Sequence, residues 1–242
     1  MIFAAGLGTR LKPLTDTMPK ALVPLAGKPL LQWQVEKLRE AGIREIVVNV
    51  HHFPDQIIDT IRANNGWGCN IAISDEREAL LDTGGGLRKA QGLLMGNEPI
   101  LACNVDILSN IDISALVETY NRNPLLGLLV VSERSTQRYL CFDEQEQLCG
   151  WTNIATGEVK GKDGRHLAFS GMQVLSPQIF DKMEGVAAQK GDKFSLIDLY
   201  LDICGQEVLK AYVPKDYKMM DVGKIEQIND AEHFATMLCN IK

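Results

Sequence analysis

The sequence predicts an α/β protein built on a parallel or mostly parallel sheet, and three observations support this prediction. Apolar, β-branched runs typical of buried strands alternate with amphipathic helical segments along the first half of the chain. The second half has shorter strand-like runs between polar or glycine-containing turns, which indicates a mixed β insertion. No Pro/Ser/Gly-rich linker separates the halves, so we expect one domain over residues 1–242.

Each predicted element follows from a local pattern. The run REIVVNV at 44–50 is typical of a strand because β-branched side chains suit a pleated surface, and Pro54 fits the first turn of a helix. The predicted strands lie at 1–5, 44–50, 70–74, 99–108, 125–131, 139–142, 147–151, 167–175 and 207–213. The predicted helices lie at 29–41, 54–65, 87–95, 113–121, 195–203 and 225–239.

Composition narrows the functional class. Hydrophobic residues make up 45% and charged residues 23% of the chain, as in an ordinary globular protein. A net charge of −6 argues against a nucleic-acid partner, and no apolar run approaches the ~18 residues of a membrane span. The six cysteines form no C-x-x-C pair and lie mostly in apolar runs, which favours reduced thiols and a cytoplasmic location.

The opening stretch MIFAAGLGTRLKPLTDTMPKALVPLAG has two glycines, Gly6 and Gly8, directly after an apolar run. Glycine lets the backbone approach a ligand closely, and the cations Arg10 and Lys20 follow. Two prolines between these cations keep the segment out of a regular helix. A triphosphate would order such a loop, because backbone N–H groups and basic side chains bind phosphate oxygens. A plain structural turn is the alternative.

Two common nucleotide motifs do not match this loop. A dinucleotide fingerprint needs a third glycine where Leu11 stands, and the second predicted strand ends near Asn49 without the acidic residue that binds a ribose. A P-loop needs Lys-Ser or Lys-Thr after its last glycine, and Thr9-Arg10 stands there instead. The sequence therefore disfavours both motifs.

Three further positions are candidate site residues, each with a simpler alternative. Asp106 follows the apolar run PILACNV, at the strand end where parallel sheets bind ligands, but it could instead cap the following segment. Asp221 precedes Gly223 and could be a turn residue. The glycines of residues 83–86 (TGGG) would expose N–H groups to an anion or a base edge, or form a flexible turn.

Taken together, these motifs resemble the sugar-1-phosphate nucleotidyltransferase family. The stretch FAAGLGTRLKPLTDTMPKALVPLAGKPLL is similar to the family signature, and LLDTGGGLRKA, NVDIL, FSGMQVLSP and MMDVGKIEQINDAE follow in family order. The resemblance implies a Rossmann-like three-layer sandwich of the nucleotide-diphospho-sugar transferase type, with a mostly parallel central sheet and a smaller mixed β insertion. Residues 1–131 would mainly bind the nucleotide and residues 132–242 the sugar phosphate.

The resemblance also implies a set of site residues and one cofactor, Mg²⁺. The catalytic residues would be Arg10, Lys20, Asp106 and Asp221, the two aspartates also holding the metal. The nucleotide would contact Gly6, Gly8, Thr9, Thr83, Gly84 and Gly85, and the sugar phosphate would contact Asn104, Ser170 and Gly171.

The implied reaction converts an NTP and a sugar 1-phosphate into an NDP-sugar and pyrophosphate, which would supply activated sugar for cell-envelope or glycan synthesis. The TGGG and FSG forms resemble the branch that acts on N-acetylmuramate 1-phosphate and mannose 1-phosphate. UTP with an N-acetylated hexose 1-phosphate is the favoured pair, and GTP with a mannose- or heptose-type phosphate is the alternative. A phosphocholine cytidylyltransferase-type enzyme and a non-catalytic nucleotide-sugar sensor also stay open, as does the oligomeric state.

Overall fold

The computed structural model describes residues 1–94 and 96–240, and the chain divides into two compact units. The first unit is made of Met1–Leu80, Cys103–Ile113 and the chain from Lys218 onward. The second is made of Leu81–Ala102 and Ser114–Tyr217. Both units are therefore discontinuous in sequence. The assignment of one domain to residues 1–242, with halves at 1–131 and 132–242, stays a prediction.

The bounds of the regular elements follow the predicted alternation. The strands are β1 (Ile2–Phe3), β2 (Pro24–Leu25), β3 (Lys28–Pro29), β4 (Glu45–Val50), β5 (Asn70–Asp75), β6 (Ile100–Asn104), β7 (Ile107–Ser109), β8 (Gly127–Ser132), β9 (Arg138–Phe142), β10 (Leu148–Asn153), β11 (Glu158–Gly161), β12 (Arg165–Leu175), β13 (Leu209–Tyr212) and β14 (Met219–Asp221). The helices are α1 (Leu30–Glu40), α2 (Pro54–Ala63), α3 (Asp82–Lys89), α4 (Ile113–Arg122), α5 (Ile179–Lys190), α6 (Leu196–Ile203) and α7 (Ile228–Asn240).

Three parallel strands of the first unit pair in the order β1-β4-β5, and Cys103 and Asn104, the last two residues of the parallel strand β6, pair with the other side of β1. Ile2 of the short strand β1 lies opposite Val48 of β4 on one side and Cys103 of β6 on the other. All three side chains are buried, and burial raises the pKa of the Cys103 thiol to about 11. The strand order reverses between β1 and β6, and open α/β sheets bind ligands beside such a reversal, at the carboxyl ends of the strands.

A two-stranded ladder fixes the last part of the chain within the first unit. Strand β14 pairs antiparallel with β7, and Asp221 lies opposite Ile107. The backbone N–H of Val222 donates to the Asp106 carbonyl oxygen at 2.9 Å, which extends the ladder by one bond. Helix α7 follows, with Ala231 buried on its inner face. The segment that carries Asp221 is therefore held against the end of β6.

A mixed sheet forms most of the second unit. The long strand β12 pairs antiparallel with β8 and with β9, β10 pairs antiparallel with β9 and β11, and β13 runs parallel to β8. The register between β12 and β8 shifts between Phe169 and Gln173. The mixed β insertion predicted from the sequence is thereby confirmed, as is the parallel sheet of the first unit.

Several predicted boundaries are wrong, each for a local reason. The strand predicted at 99–108 is interrupted by a turn at Val105 and Asp106, so it forms β6 and β7. The helix predicted at 87–95 begins earlier, at Asp82, and includes the three glycines; Met95 lies outside the described residues. Helix α5 is not predicted, because Gly185 lowers the helix propensity of its segment.

The described cysteine thiols are free, as the sequence predicts: Cys69, Cys103, Cys141, Cys149 and Cys204. Cys239 lies outside the side chains that the structure describes. Across residues 1–94 and 96–240, the helices all lack the combination of length and apolarity needed to cross a bilayer.

Candidate active site

The glycine loop after β1 folds back on itself at Gly8. Gly8 has a φ of 65°, a left-handed conformation that L side chains rarely adopt. A Cβ atom there would lie 2.8 Å from Thr15 Cγ2 and 3.0 Å from Lys20 Cβ. The Thr15 hydroxyl donates to the Gly8 carbonyl at 2.8 Å, and the Leu11 N–H donates to the same oxygen at 2.8 Å. Gly8 is therefore required by the loop itself.

Gly6 is different. It is exposed, and a Cβ atom there would meet no described atom within 4 Å. The fold thus gives no packing reason for a glycine at this position, whereas close approach of a ligand to the backbone would give one. Thr9 and Arg10 follow in the 3-10 turn Thr9–Leu11, and both are exposed, whereas Leu11 is buried. The contact of Gly6, Gly8 and Thr9 with a nucleotide stays a prediction.

Lys20 and Asp106 form an ion pair at the carboxyl end of the first unit's sheet. Lys20 Nζ contacts Asp106 Oδ2 directly, and the two side chains are only 11% and 19% exposed. Pro19 ends the extended part of the loop, so that Lys20 begins the short 3-10 turn Lys20–Leu22. Asp106 lies in the turn between β6 and β7, and its role as a site residue stays a prediction. The pair joins the loop after β1 to the neighbouring strand.

Asp221 comes close to this pair because of the β7–β14 ladder. It ends a strand rather than lying in a turn, and its neighbour Val222 is hydrogen-bonded to Asp106. A Cβ atom at Gly223 would lie 2.7 Å from Asp221 Oδ1 and 3.0 Å from Arg10 Nη2. The guanidinium of Arg10 and the carboxylate of Asp221 therefore both lie close to Gly223, and a side chain there would displace one of them.

The four predicted catalytic residues thus converge in the first unit, Lys20 and Asp106 as an ion pair and Arg10 and Asp221 on either side of Gly223. Lys20 is buried against Asp106, whereas Arg10 is exposed. Within the described part of the chain, Arg10 has no side-chain hydrogen bond or ion pair. An exposed guanidinium without a partner is available for an anionic ligand, since it presents donors in a fixed fork. Asn104 ends β6 next to this group, half-buried and opposite Phe3 of β1.

Sequence reasoning missed a buried polar network beneath the loop. The Ala4 N–H donates to Asn49 Oδ1 at 2.8 Å, and Asn49 Nδ2 donates to Glu76 Oε1 at 2.7 Å. Glu76 is fully buried, and its N–H donates to the Val50 carbonyl at 2.7 Å. The ends of β1, β4 and β5 are joined in this way. A polar residue closing an apolar strand, Asn49, is the signal that could have found the network.

Thr83, Gly84 and Gly85 lie in the first turns of α3, within the second unit. The N–H groups of Gly84 and Gly85 donate to the Phe194 carbonyl oxygen at 2.9 and 3.1 Å, and the Leu196 N–H donates to Thr83 Oγ1 at 3.0 Å. The expectation that both glycines expose their N–H groups is therefore wrong. Their contact with a nucleotide stays a prediction.

Packing explains why these two positions are glycines. A Cβ atom on Gly84 would lie 2.4 Å from the Phe194 ring, and one on Gly85 would lie 2.0 Å from the Asp192 carbonyl oxygen. Arg88 also holds the loop of residues 192–194, because its guanidinium donates a hydrogen bond to the Asp192 carboxylate at 3.0 Å. The TGGG stretch is therefore the surface on which residues 192–194 pack.

Ser170 and Gly171 occupy the irregular part of β12 in the second unit. Gly171 has a φ of 69°, and it lies within the register shift against β8. The Ser170 side chain is fully buried, and its hydroxyl has no hydrogen-bond partner among the described residues. A buried hydroxyl without a partner is costly, and a bound polar ligand would satisfy it. The role of both residues in sugar binding stays a prediction.

The fold and the charged cluster define an α/β protein of the Rossmann-like class with a candidate phosphate site at its switch point. Residues 1–237 match the family model described as nucleotidyl transferase, so the chain belongs to the nucleotidyl transferase family. The resemblance to sugar-1-phosphate nucleotidyltransferases is confirmed, and the chain is a nucleotidyltransferase.

Three relatives illustrate the match. N-acetylmuramate alpha-1-phosphate uridylyltransferase of Neisseria meningitidis serogroup B is 36% identical over 78% of this chain and 80% of its own. Mannose-1-phosphate guanyltransferase 2 of Candida glabrata is 32% identical over 76% of this chain and 51% of its own. The crystal structure of HddC from Yersinia pseudotuberculosis complexed with GMP-PN superposes with a TM-score of 0.75 at 26% identity, covering 97% of both chains. The predicted fold class is thereby confirmed.

The two loop glycines provide a matched pair of substitutions. Gly8→Ala should destabilise the protein by about 1–2 kcal/mol from the left-handed backbone alone, with overlap against Thr15 adding to this. Gly6→Ala should leave the free energy of unfolding unchanged but weaken NTP binding, because its methyl group would meet only ligand. Urea denaturation and equilibrium NTP titration measure the two effects. Wild-type NTP affinity in Gly6→Ala would remove Gly6 from the nucleotide site.

Proposed function

We propose that this nucleotidyltransferase transfers the nucleotidyl group of an NTP to a sugar 1-phosphate, by in-line attack at the α-phosphorus. The observation that carries the proposal is the convergence of Arg10, Lys20, Asp106 and Asp221 at the carboxyl end of one parallel sheet. The group combines cations for phosphate oxygens with carboxylates for a metal, and parallel sheets bind ligands at this edge.

The reaction needs charge compensation more than proton transfer. A phosphate ester is mostly dianionic at neutral pH, since its second pKa is about 6, so a sugar-phosphate oxygen can attack without a general base. A bond forms between that oxygen and the α-phosphorus. The bond between the α-phosphorus and the oxygen that bridges the α- and β-phosphates breaks, and pyrophosphate leaves with that oxygen. Arg10 would bind the triphosphate and steady the charge that develops at the α-phosphorus.

Lys20 would act at the same centre from a fixed position. Its ammonium is held by Asp106, so little side-chain freedom is lost when a phosphate oxygen also binds it. The Asn49–Glu76 network holds the first residues of the loop through Ala4. The loop would therefore meet the triphosphate largely preorganised.

The donor set fits Mg²⁺. Asp106, in the turn before β7, and Asp221, at the end of the paired strand β14, provide carboxylate oxygens. Mg²⁺ prefers hard oxygen ligands of this kind, with phosphate and water completing the shell. When bound, the ion would offset negative charge on the triphosphate. Lys20 holds one oxygen of Asp106, so the lysine also fixes the orientation of this carboxylate.

UTP with an N-acetylated hexose 1-phosphate is the substrate pair we favour. The relative from Neisseria meningitidis, by name an N-acetylmuramate 1-phosphate uridylyltransferase, is 36% identical and is matched over most of its length. GTP with a mannose- or heptose-type phosphate is the second candidate. It is supported by the Candida glabrata relative, a mannose-1-phosphate guanyltransferase, and by GMP-PN in the HddC crystal structure.

The metal assignment is tested by Asp106→Asn. Loss of one carboxylate charge should lower turnover by at least ~100-fold at saturating Mg²⁺, because the residue acts on the transferring phosphoryl group. Circular dichroism should show an unchanged fold. Asp59→Asn on the exposed face of α2 is the matched control and should keep wild-type pyrophosphate release. A mutant Asp106→Asn that keeps more than a tenth of the wild-type rate would refute the assignment.

Arg10 and Lys20 should separate in their kinetics. Arg10→Ala should lower kcat by about 10²–10³-fold while raising the KM for NTP less, because Arg10 is free to bind charge in the transition state. Lys20→Ala should affect kcat and KM together and also lower stability, because it leaves Asp106 without its partner. Steady-state kinetics with thermal denaturation measure both. Equal and small effects of the two substitutions on kcat and KM would indicate that the loop has only a structural role.

The preference for base and sugar is tested by combining each NTP with each sugar 1-phosphate and measuring the rate of pyrophosphate release. We expect UTP to exceed GTP in kcat/KM by at least ~10²-fold, because a wrong base leaves buried polar groups unpaired. The N-acetylated hexose phosphates should be the best acceptors. A clear preference for GTP would reverse the ranking, and near-equal values would mean that the base is held by stacking alone.

A further inference from the structure

A group of side chains in the second unit, none of them assigned to the reaction described above, has the composition of a metal site. Cys141, Asp163 and His166 each present one ligand atom, and these three atoms lie within 4.8 Å of one another. All three residues belong to the second unit. We propose that this Cys-Asp-His cluster binds one Zn²⁺ ion, independently of the nucleotidyl-transfer site.

Backbone pairing positions two of the ligands. Strands β9 and β12 are antiparallel, and Cys141 lies directly opposite His166 in their register. Directly opposed residues project to the same face of a sheet with Cβ atoms about 4.5–5.5 Å apart. The thiol and the imidazole are therefore brought together by the ladder and need no flexible loop to meet.

The third ligand is held by the turn into β12. A Cβ atom on Gly164 would lie 2.3 Å from the Phe142 carbonyl oxygen, so the turn packs backbone against β9. Asp163 Oδ1 accepts the Gly164 N–H at 2.9 Å and lies 2.7 Å from His166 Nε2. The imidazole also stacks on Tyr139, with ring centroids 5.7 Å apart. These contacts keep the carboxylate and the imidazole at one place before any ion binds.

The cluster is buried at its thiol and open to solvent at its other two ligands. Cys141 is fully buried, whereas the side chains of His166 and Asp163 are 40% and 79% exposed. An ion could enter past the two exposed ligands and reach the thiol beneath them. Cys149 lies nearby, but its thiol already donates to the Cys141 carbonyl at 3.3 Å. Three protein ligands with water in the fourth position is the pattern of an open zinc site.

Ligand chemistry selects the metal. Thiolate sulfur and imidazole nitrogen favour Zn²⁺ over Mg²⁺, which prefers carboxylate and water oxygens. The ion would also join β9 to β12 through side chains. Because it binds the folded sheet, it should raise the protein's thermal stability by mass action.

The test uses Zn²⁺ and Co²⁺ on the full chain, with excess Mg²⁺ present to occupy oxygen ligands elsewhere. Competition with a chromogenic chelator should give one Zn²⁺ per chain. His166→Gln and Asp163→Asn, which alter exposed side chains, should each weaken zinc affinity at least ~10-fold and abolish the zinc-dependent rise in melting temperature. The controls His233→Gln on α7 and Cys204→Ser after α6 should bind like the wild type.

Cobalt reports on the thiol directly. The wild type and Cys204→Ser should show the near-ultraviolet charge-transfer absorption of a cobalt–thiolate bond, and Cys141→Ser should lack it. If Cys141→Ser does not fold, the surface variants alone decide the question. Equal zinc affinity in the wild type and His166→Gln, or no thiolate band in the cobalt-loaded wild type, would overturn the proposal.

Discussion

The ion pair between Lys20 and Asp106 is the interaction on which the candidate site depends. It joins a loop without regular secondary structure to the end of a central strand, and both side chains are largely removed from water. Burying two charges has a desolvation cost that their attraction often only balances, and an apolar pair of the same volume would stabilise as well or better. The pair is therefore not explained by its contribution to stability, and its effect in the structure is to hold the loop against the end of β6.

The order of the strands explains how a few hydrogen bonds and one ion pair hold the loop after β1 in place. The reversal lies between β1 and β6, so β1 has β6 on one side and β4 on the other, and the loop after β1 meets residues from both. Asp106 reaches it from β6, and Asn49 reaches it from β4 through the Ala4 N–H. The β7–β14 ladder then adds Asp221 from the last part of the chain. Asp221 is thus positioned by the pairing of its own strand, and Asp106 by the turn that joins β6 to β7.

Much of this arrangement can be predicted from the sequence, and the limits are physical. The alternation of β-branched runs and amphipathic segments identifies the parallel strands, because strand and helix periods differ. The opening motif identifies Arg10 and Lys20 as cations over a glycine turn. Spacing alone does not pair Asp106 with Asp221, since a ladder between distant segments leaves no local pattern. The buried Glu76 is hidden for the same reason, because its partner Asn49 lies on another strand.

The glycine motifs show a second limit of prediction from sequence, because glycine occurs at these positions for different structural reasons. Gly8 is required by its left-handed backbone, whereas Gly223 lets the ends of the Arg10 and Asp221 side chains come close. Gly84 and Gly85 are required by the packing of residues 192–194, and Gly6, in contrast to these four glycines, has open space around it. From sequence, all of these positions look equally suited to a ligand. The structure is needed to distinguish glycines at which a side chain would overlap other protein atoms from glycines with open space for a ligand.

This distinction limits how the TGGG segment could read a base. The N–H groups of Gly84 and Gly85 are occupied by Phe194, and the Thr83 N–H donates to Asp82 Oδ1 at 2.6 Å. The Thr83 hydroxyl accepts from Leu196 but keeps its own proton, since a hydroxyl both donates and accepts. If this segment contacts the nucleotide, the donor it offers is that hydroxyl. Base discrimination would then depend on one side chain in a loop held by packing, and the glycines would act by keeping that loop in place.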